Sequence, residues 1–358
     1  MRKLVLAGFL LAGILGAEAQ NVASTATLTS GGNLSGTTGS GTYYGVNAGK
    51  VSTASQNTFI GTNSGSNTTT GGTNVFLGSS SGNSNLTGSG NVFLGQQSGG
   101  SLSSGTNNTM TGKGSGYDSL GAQTQSGLGF ATGNSNSFYG ASSGAVNNGG
   151  NQNCFFGAFS GSGKNTTGSN NTYLGFSSGS SNNGSANVFL GSNSGPVSPN
   201  SAGNFISNNL YIDNSANNNP LIWGDFATDQ LKLNGTVGIG AVTTFPTAVG
   251  GASVANYKLF VTGGILTEEI RVALRTGTIW ADYVFANDYK LKPLSELEKF
   301  INNNGHLPNV PSAKQVKEEG INVAEMATIQ QEKIEELTLY IIAQNKRLEA
   351  LEAKLNNK

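Results

Sequence analysis

The sequence is poor in the residues on which most chemistry depends. Its 358 residues include one cysteine, one histidine, seven prolines and two tryptophans, and only 11% are charged. A single cysteine leaves no disulfide framework, and one Cys with one His falls short of the roughly four ligands of a closed zinc site. A Ser-His-Asp or Cys-His hydrolase would have to use His306, which lies in His306-Leu307-Pro308. There is no G-x-x-x-x-G-K-S/T phosphate loop and no strand-glycine-helix dinucleotide fingerprint. Nineteen Lys and Arg balance nineteen Asp and Glu, so no bulk charge draws the chain to nucleic acid or an anionic membrane. No catalytic residues, cofactor or metal are therefore expected, and no nucleic-acid partner.

What is abundant is glycine, 54 residues, and it is unevenly placed. Between Gln20 and Asn256 the charged residues are Lys50, Lys113, Asp118, Lys164, Asp213, Asp225, Asp229 and Lys232, whereas Tyr257 to Lys358 hold 27. Two kinds of material share one chain. Ahead of both, Met1-Arg2-Lys3, the apolar run Leu4 to Gly16 and Ala17-Glu18-Ala19 have the form of a Sec-type signal peptide with Gln20 as the new N-terminus. No cysteine stands at the end of that run, and no later stretch reaches 18 apolar residues, so neither a lipid anchor nor a membrane span is expected in the mature chain.

The middle of the chain is a repeat. Aligned on one glycine, the copies fall at Gly45, Gly61, Gly78, Gly95, Gly112, Gly140, Gly157, Gly175 and Gly191, in steps of 16 to 18 residues broken once by an insertion near 118–131. A second glycine follows each anchor by four, from Gly49 to Gly195, and a serine precedes it except at Ala48. Asparagine stands four before the anchor, from Asn57 to Asn187, except at Gly41. The unit reads as a short strand, a bend that glycine or asparagine tolerates, a second short edge and a polar loop. Registered apolar triplets set it apart from a disordered Gly/Ser/Asn tract.

Side chains of a strand alternate in direction. One face carries the repeat core Phe59, Phe76, Phe93, Met110, Phe138, Phe155, Tyr173 and Phe189; the other carries pairs such as Thr58/Ile60, Val75/Leu77 and Val188/Leu190. One chain buries only one face, so the second is expected to be covered by identical chains. Cys154 falls in the slot of Val75 and Thr172 and reads as a small wall residue.

On that register, Gly41 to Gly195 resembles the head repeats of trimeric autotransporter adhesins and related repeats of phage tail fibres. The resemblance implies a mainly β fold: a left-handed parallel β-roll (solenoid) of about nine 17-residue repeats, packed as a parallel homotrimer. Those adhesins end in a membrane β-barrel, whereas this sequence ends in a charged helix, so export by that route is not expected.

After the repeats, Leu210-Tyr211-Ile212, Leu221-Ile222-Trp223, Leu231-Lys232-Leu233, Leu259-Phe260-Val261 and Ile265 to Val272 read as strands, with Asn234-Gly235 as a hairpin-type turn. Trp223 and Phe226 read as packed core rather than a sugar platform. Ser295 to Glu298 has the capping-box form, and Gly305 closes that helix. Ser312 and Gly320 bound a second helix, and a third runs from about Val323 to Leu355. Its spacing of 3,4,3,4,3,4 through Ile334, Leu337, Ile341, Gln344, Leu348, Leu351 and Leu355 is a heptad seam for an oligomer.

From Trp280-Ala281-Asp282-Tyr283-Val284-Phe285 through the final helix, the chain is similar to the C-terminal module of secreted fibre-like bacterial proteins. It is more distantly similar to the intramolecular chaperone of phage tail spikes. Those chaperones release themselves with a serine before an aspartate, assisted by a lysine. Here Ala281 precedes Asp282, and the resemblance implies a permanent clamp.

The expected organisation is a signal peptide at 1–19, a polar segment at 20–40, a β-roll head at 41–195, a β-rich connector at 196–272, a small helical module at 273–322 and a coiled-coil trimerisation helix at 323–358. The expected protein is non-enzymatic, secreted or at the cell surface, and adhesin-like. Its repeat loops would meet a surface glycan or protein receptor multivalently. The alternatives are a tail-fibre-like or spike-like protein that binds or cleaves polysaccharide, for which Asp213, Asp225 and Asp229 are the acidic candidates, and a passive matrix component.

Overall fold

A computed structural model of the chain describes residues 41–117, 132–163, 167–180, 182–197, 205–273 and 280–356. The expected signal peptide, the polar segment 20–40 and the insertion near 118–131 lie outside the described residues. The chain divides into two compact units, one reaching Gly235 and the other starting at Thr236.

In the first unit every repeat contributes one three-residue strand. These are β1 (Thr42–Tyr44), β2 (Thr58–Ile60), β3 (Val75–Leu77), β4 (Val92–Leu94), β5 (Thr109–Thr111), β6 (Ser137–Tyr139), β7 (Cys154–Phe156), β8 (Thr172–Leu174) and β9 (Val188–Leu190). Each pairs in parallel with the next, in sequence order, giving a parallel β-solenoid of about eight turns. The sheet then runs on into the segment read as a connector. β10 (Asn209–Ile212) adds in parallel to β9, and β11 (Ile222–Asp225) and β12 (Gln230–Leu233) close the row antiparallel.

The centre of each strand is buried, from Tyr43 and Phe59 to Phe189 and Tyr211. Because parallel strands stack about 4.8 Å apart, in-register rings must lie face to face. Phe59–Phe76, Phe76–Phe93 and Phe155–Tyr173 stack at 4.7 Å with planes within 8° of parallel. Burying each such ring stabilises the unit by about 1.5–3 kcal/mol. Met110 interrupts the ring stack with its own buried side chain.

The polar positions of the repeat are the other half of the interior. Asn74, fully buried, donates through Nδ2 to the Gly88 carbonyl (2.9 Å), and its Oδ1 accepts from the backbone N–H of Asn91 (2.9 Å). Asn91, Asn108, Asn136, Asn153 and Asn171 repeat this ladder. The buried serines do the same at the second corner: Ser64 Oγ donates to the Phe76 carbonyl (3.1 Å) and Ser81 Oγ to that of Phe93 (3.2 Å). The repeat asparagine is thus not the left-handed corner residue. That backbone belongs to the residue before it, such as Gln56 (φ 65°) or Gln152 (φ 57°). The expected second edge forms no strand, but its backbone is laddered, with Gly65 N–H donating to Ser81 O and Gly82 N–H to Ser98 O, both at 2.9 Å.

Two glycines show why the motif keeps both of its invariant positions. At Gly61 (φ 132°) a Cβ would meet the Gly78 carbonyl oxygen of the next turn at 2.5 Å. At Gly65 (φ 55°) it would strike the Phe59 ring at 2.5 Å. One glycine lets the turns stack, and the other leaves room for the ring.

The second unit begins with β13 (Val237–Ile239) paired in parallel with β16 (Leu259–Val261), and a hairpin of β14 (Ala248–Val249) and β15 (Ala252–Ser253). Asn234-Gly235 is therefore not a hairpin turn, because β12 and β13 belong to different sheets; Asn234 Nδ2 instead donates to the Pro220 carbonyl (2.6 Å). Ile265 to Val272 forms no strand, since among the described residues no partner strand lies alongside to take its backbone groups. A 3₁₀ turn, Ala281–Phe285, buries Ala281 and Val284.

Three helices follow: α1 (Leu294–Asn304), α2 (Ala313–Glu319) and α3 (Val323–Asn356). Ser312 and Gln315 form a capping box on α2, and Gly305 ends α1 in the left-handed conformation (φ 73°). The capping box expected at Ser295 is absent. Pro293 precedes the helix, so Ser295 already lies inside the first turn. No helix among the described residues is long and apolar enough to cross a membrane.

Candidate functional site

With the rings inside, the flanking residues of every strand face out. Strand register joins them into rows that cross the whole sheet. The row after the ring runs Tyr44, Ile60, Leu77, Leu94, Thr111, Tyr139, Phe156, Leu174 and Leu190, then Ile212, Ile222 and Leu233. Of its twelve members only Thr111 is polar. Tyr44, Phe156 and Leu174 are 56%, 57% and 48% exposed. The row before the ring mixes Thr42, Thr58, Val75, Val92, Thr109, Ser137, Cys154, Thr172 and Val188. Just past the corner, Phe159 and Phe176 are also exposed and meet edge to face at 5.8 Å. Sequence patterning anticipated these rows over the repeats but not their continuation through Ile212, Ile222 and Leu233. The alternating apolar residues of those later strands were the available signal.

Cys154 sits in this outer surface, exposed, between Ser137 and Thr172. The three acidic candidates do other work. Asp213 accepts from Asn217 Nδ2 (2.7 Å), the backbone of Asn214 (2.7 Å) and Leu221 (3.1 Å), and Ser215 Oγ (3.2 Å). These bonds, the Asn217 amide foremost, hold its carboxyl below the usual range. Asp225 braces the β11–β12 turn through Ala227 N–H (2.8 Å) and Thr228 Oγ1 (2.9 Å), and the first of these holds its carboxyl low as well. Asp225 pairs across from Asn209, while Asp213 lies just past Ile212 at the far end of the same strand pair. Four residues of strand span about 13 Å, beyond the roughly 5–9.5 Å that a glycosidase pair needs. Asp229 occupies the turn in a left-handed conformation (φ 54°). Trp223 packs against the core with Lys232 Nζ 4.2 Å over its ring, closing the end of the aromatic stack. Phe226 remains half exposed.

In the second unit, α3 is inverted. Its buried residues are polar, Thr328, Glu332 and Glu335, and the helix packs against the 3₁₀ turn. Lys333 Nζ bridges Glu332 Oε1 (2.6 Å) and Glu336 Oε2 (2.8 Å). Tyr283 donates to Glu332 Oε2 (2.7 Å), Tyr289 to Glu336 Oε1 (2.5 Å) and Asn309 Nδ2 to Glu332 Oε1 (3.2 Å). Glu335 Oε1 accepts from Gln331, but its buried Oε2 has no partner among the described residues. The glutamate carboxylate, with some burial, pushes the Tyr283 hydroxyl up to about 12.

The heptad residues are the ones left in solvent. Ile334, Leu337, Ile341, Leu348, Leu351 and Leu355 are all at least half exposed, and Gln344 is exposed with them. The first four seam residues line a groove of about 360 Å³ whose far wall is Leu294, Leu297, Leu307 and Pro308. That wall had no periodic signal in the sequence, because it is assembled from α1 and the turn after it. Leu339 is part-buried and Ile342 is 45% exposed, both off the seam. His306 contacts the Phe300 ring edge-on at 5.8 Å, with Nδ1 2.9 Å from the Leu307 carbonyl oxygen. No hydroxyl or carboxylate contacts it among the described residues. Compared with known proteins, the chain matches no family model, no curated protein and no solved structure.

Proposed function

We propose that the chain is a secreted or cell-surface fibrous protein, adhesin-like and non-enzymatic. In this reading it assembles as a parallel homotrimer and presents its polar repeat loops to a surface glycan or protein receptor. The observation that carries the reading is the row from Tyr44 to Leu233, apolar at every position but Thr111, on the outside of an otherwise polar solenoid. Such a stripe exceeds what a monomer ordinarily leaves in water. Identical chains cover it economically, since a repeat in one chain meets the same repeat in the next. Many weak loop contacts in threefold copies then give attachment by avidity. The N-terminal leader pattern supports export.

The test uses the mature chain, residues 20–358. Light-scattering mass is expected to be threefold, and Leu77→Asp with Phe156→Asp and Leu174→Asp to reduce it to one copy. All three side chains point away from the chain's own core, so circular dichroism should be unchanged. Attachment of coated beads to cells should fall with the mass. A wild-type chain of single mass at micromolar concentration would sink the proposal.

A further inference from the structure

We propose that the groove beside α3 receives the α3 helix of a second copy of this chain, laid parallel to the first. The inference rests on the reading that the chain assembles with copies of itself, and it names the surface that does so in the second unit. An amphipathic helix normally turns its apolar face inward. Here the polar face of α3 is docked on its own module, and Ile334, Leu337 and Ile341 stay 57–58% exposed. Past Tyr340, every residue from 341 to 356 is exposed. A stretch of sixteen exposed residues is at the edge of helix stability in water. The heptad nonetheless continues over them through Leu348, Leu351 and Leu355. An occupant that serves both the groove and this bare stretch must share the 3.5-residue period, which the same helix of another copy does.

Charge sets its direction. Counting Ile334 as position a, the g positions are Lys333, Tyr340, Arg347 and Lys354, and the e positions are Gln331, Thr338, Asn345 and Glu352. Antiparallel packing would set g against g and bring cations together. Parallel packing sets each g against the e five residues on, so Arg347 faces Glu352 of its neighbour. Neither residue forms an ion pair within the chain among the described residues. The neighbouring helix then lies along the α3 seam with its apolar side chains entering the groove, where they meet Leu294, Leu297, Leu307 and Pro308, so α1 helps to fix register.

The test is disulfide cross-linking of residues 20–358 carrying Cys154→Ser. Gln344→Cys and Leu351→Cys, at facing d positions, are expected to give interchain disulfides on mild oxidation. Lys346→Cys, on the outer face, is expected to give at least fivefold less. Adding Leu294→Asp and Leu297→Asp should cut the Gln344→Cys yield several-fold while helix content is retained. Yields at positions 344 and 351 no higher than at 346, in a chain that is still oligomeric, would overturn the groove and leave the fibre reading standing. A yield indifferent to the two aspartates would remove α1 from the interface. A wild type of single mass would end both readings.

Discussion

Asn91 has no exposed surface, yet its amide donates to the Gly105 carbonyl and accepts from both the backbone and the side chain of Asn108. Asn91→Leu keeps roughly the volume and strands a buried carbonyl and a buried N–H, so it is expected to destabilise the solenoid by about 2–4 kcal/mol. Asn219→Ala, at an exposed residue outside the left-handed region, should change stability by less than about 0.5 kcal/mol; thermal denaturation of the two variants checks the contrast. Glu335→Gln is expected to act in the opposite sense. It removes a buried charge whose Oε2 is unpartnered and keeps an acceptor for Gln331, and it should raise the unfolding midpoint of the C-terminal unit. A lower midpoint would mean that a cation pairs with Glu335 in the assembled protein. The recurrence of asparagine was plain in the sequence. Its role was not, because residue spacing does not reveal whether an amide turns the chain or ties one turn to the next.

At the scale of elements, strands of three residues are too short to stand alone. They persist because each hands its hydrogen bonds and its ring to the next turn. The long step from Gly112 to Gly140 illustrates this. Across it Thr109 N–H still donates to the Asn136 carbonyl at 2.8 Å, and β5 and β6 keep full register. Excising eleven residues between 118 and 131 to restore a 17-residue step should therefore shift the thermal midpoint by only a few degrees, since loop closure costs little with added length. A collapse of the solenoid in that variant would make the insertion structural.

The α3 network responds to pH at both ends. Tyr283, raised on folding first by the Glu332 carboxylate, and Tyr289, raised first by burial and then by the Glu336 carboxylate, stabilise the unit below the ordinary tyrosine value. That contribution is lost as pH rises from about 10 through the folded value of about 12 at Tyr283. Burial pushes Glu332 up, but hydrogen bonds from Lys333, Tyr283 and Asn309 outweigh it and hold the carboxyl low. Its contribution is lost as pH falls below about 4. Unfolding midpoints measured from pH 9 to 12 should fall in the wild type and fall less in Tyr283→Phe. Equal slopes would place the pH response elsewhere.

For the whole molecule, both units leave an apolar surface in water: the outer row of the sheet in the first and the α3 seam in the second. Truncation separates their roles. Without residues 323–358 the threefold mass is expected to become heterogeneous, because the sheet rows still meet but nothing sets their register; multi-angle light scattering reads this directly. A truncated chain that keeps a sharp threefold mass would assign assembly to the solenoid alone.

The sequence by itself determined the turn of the solenoid and the exposure it entails. Glycine is needed at two fixed corners, a large apolar side chain is needed inside each turn, and alternation then forces the flanking residues out. These requirements are local, so they recur at a readable period. Only the tertiary structure decided what non-local contacts govern: that the sheet runs on through β12, that Ile265 to Val272 has no strand partner, that α3 docks by its polar face, and that Leu294, Leu297, Leu307 and Pro308 form one wall. Each depends on which distant segment supplies a hydrogen bond or fills a volume, and residue spacing along one chain carries no record of that.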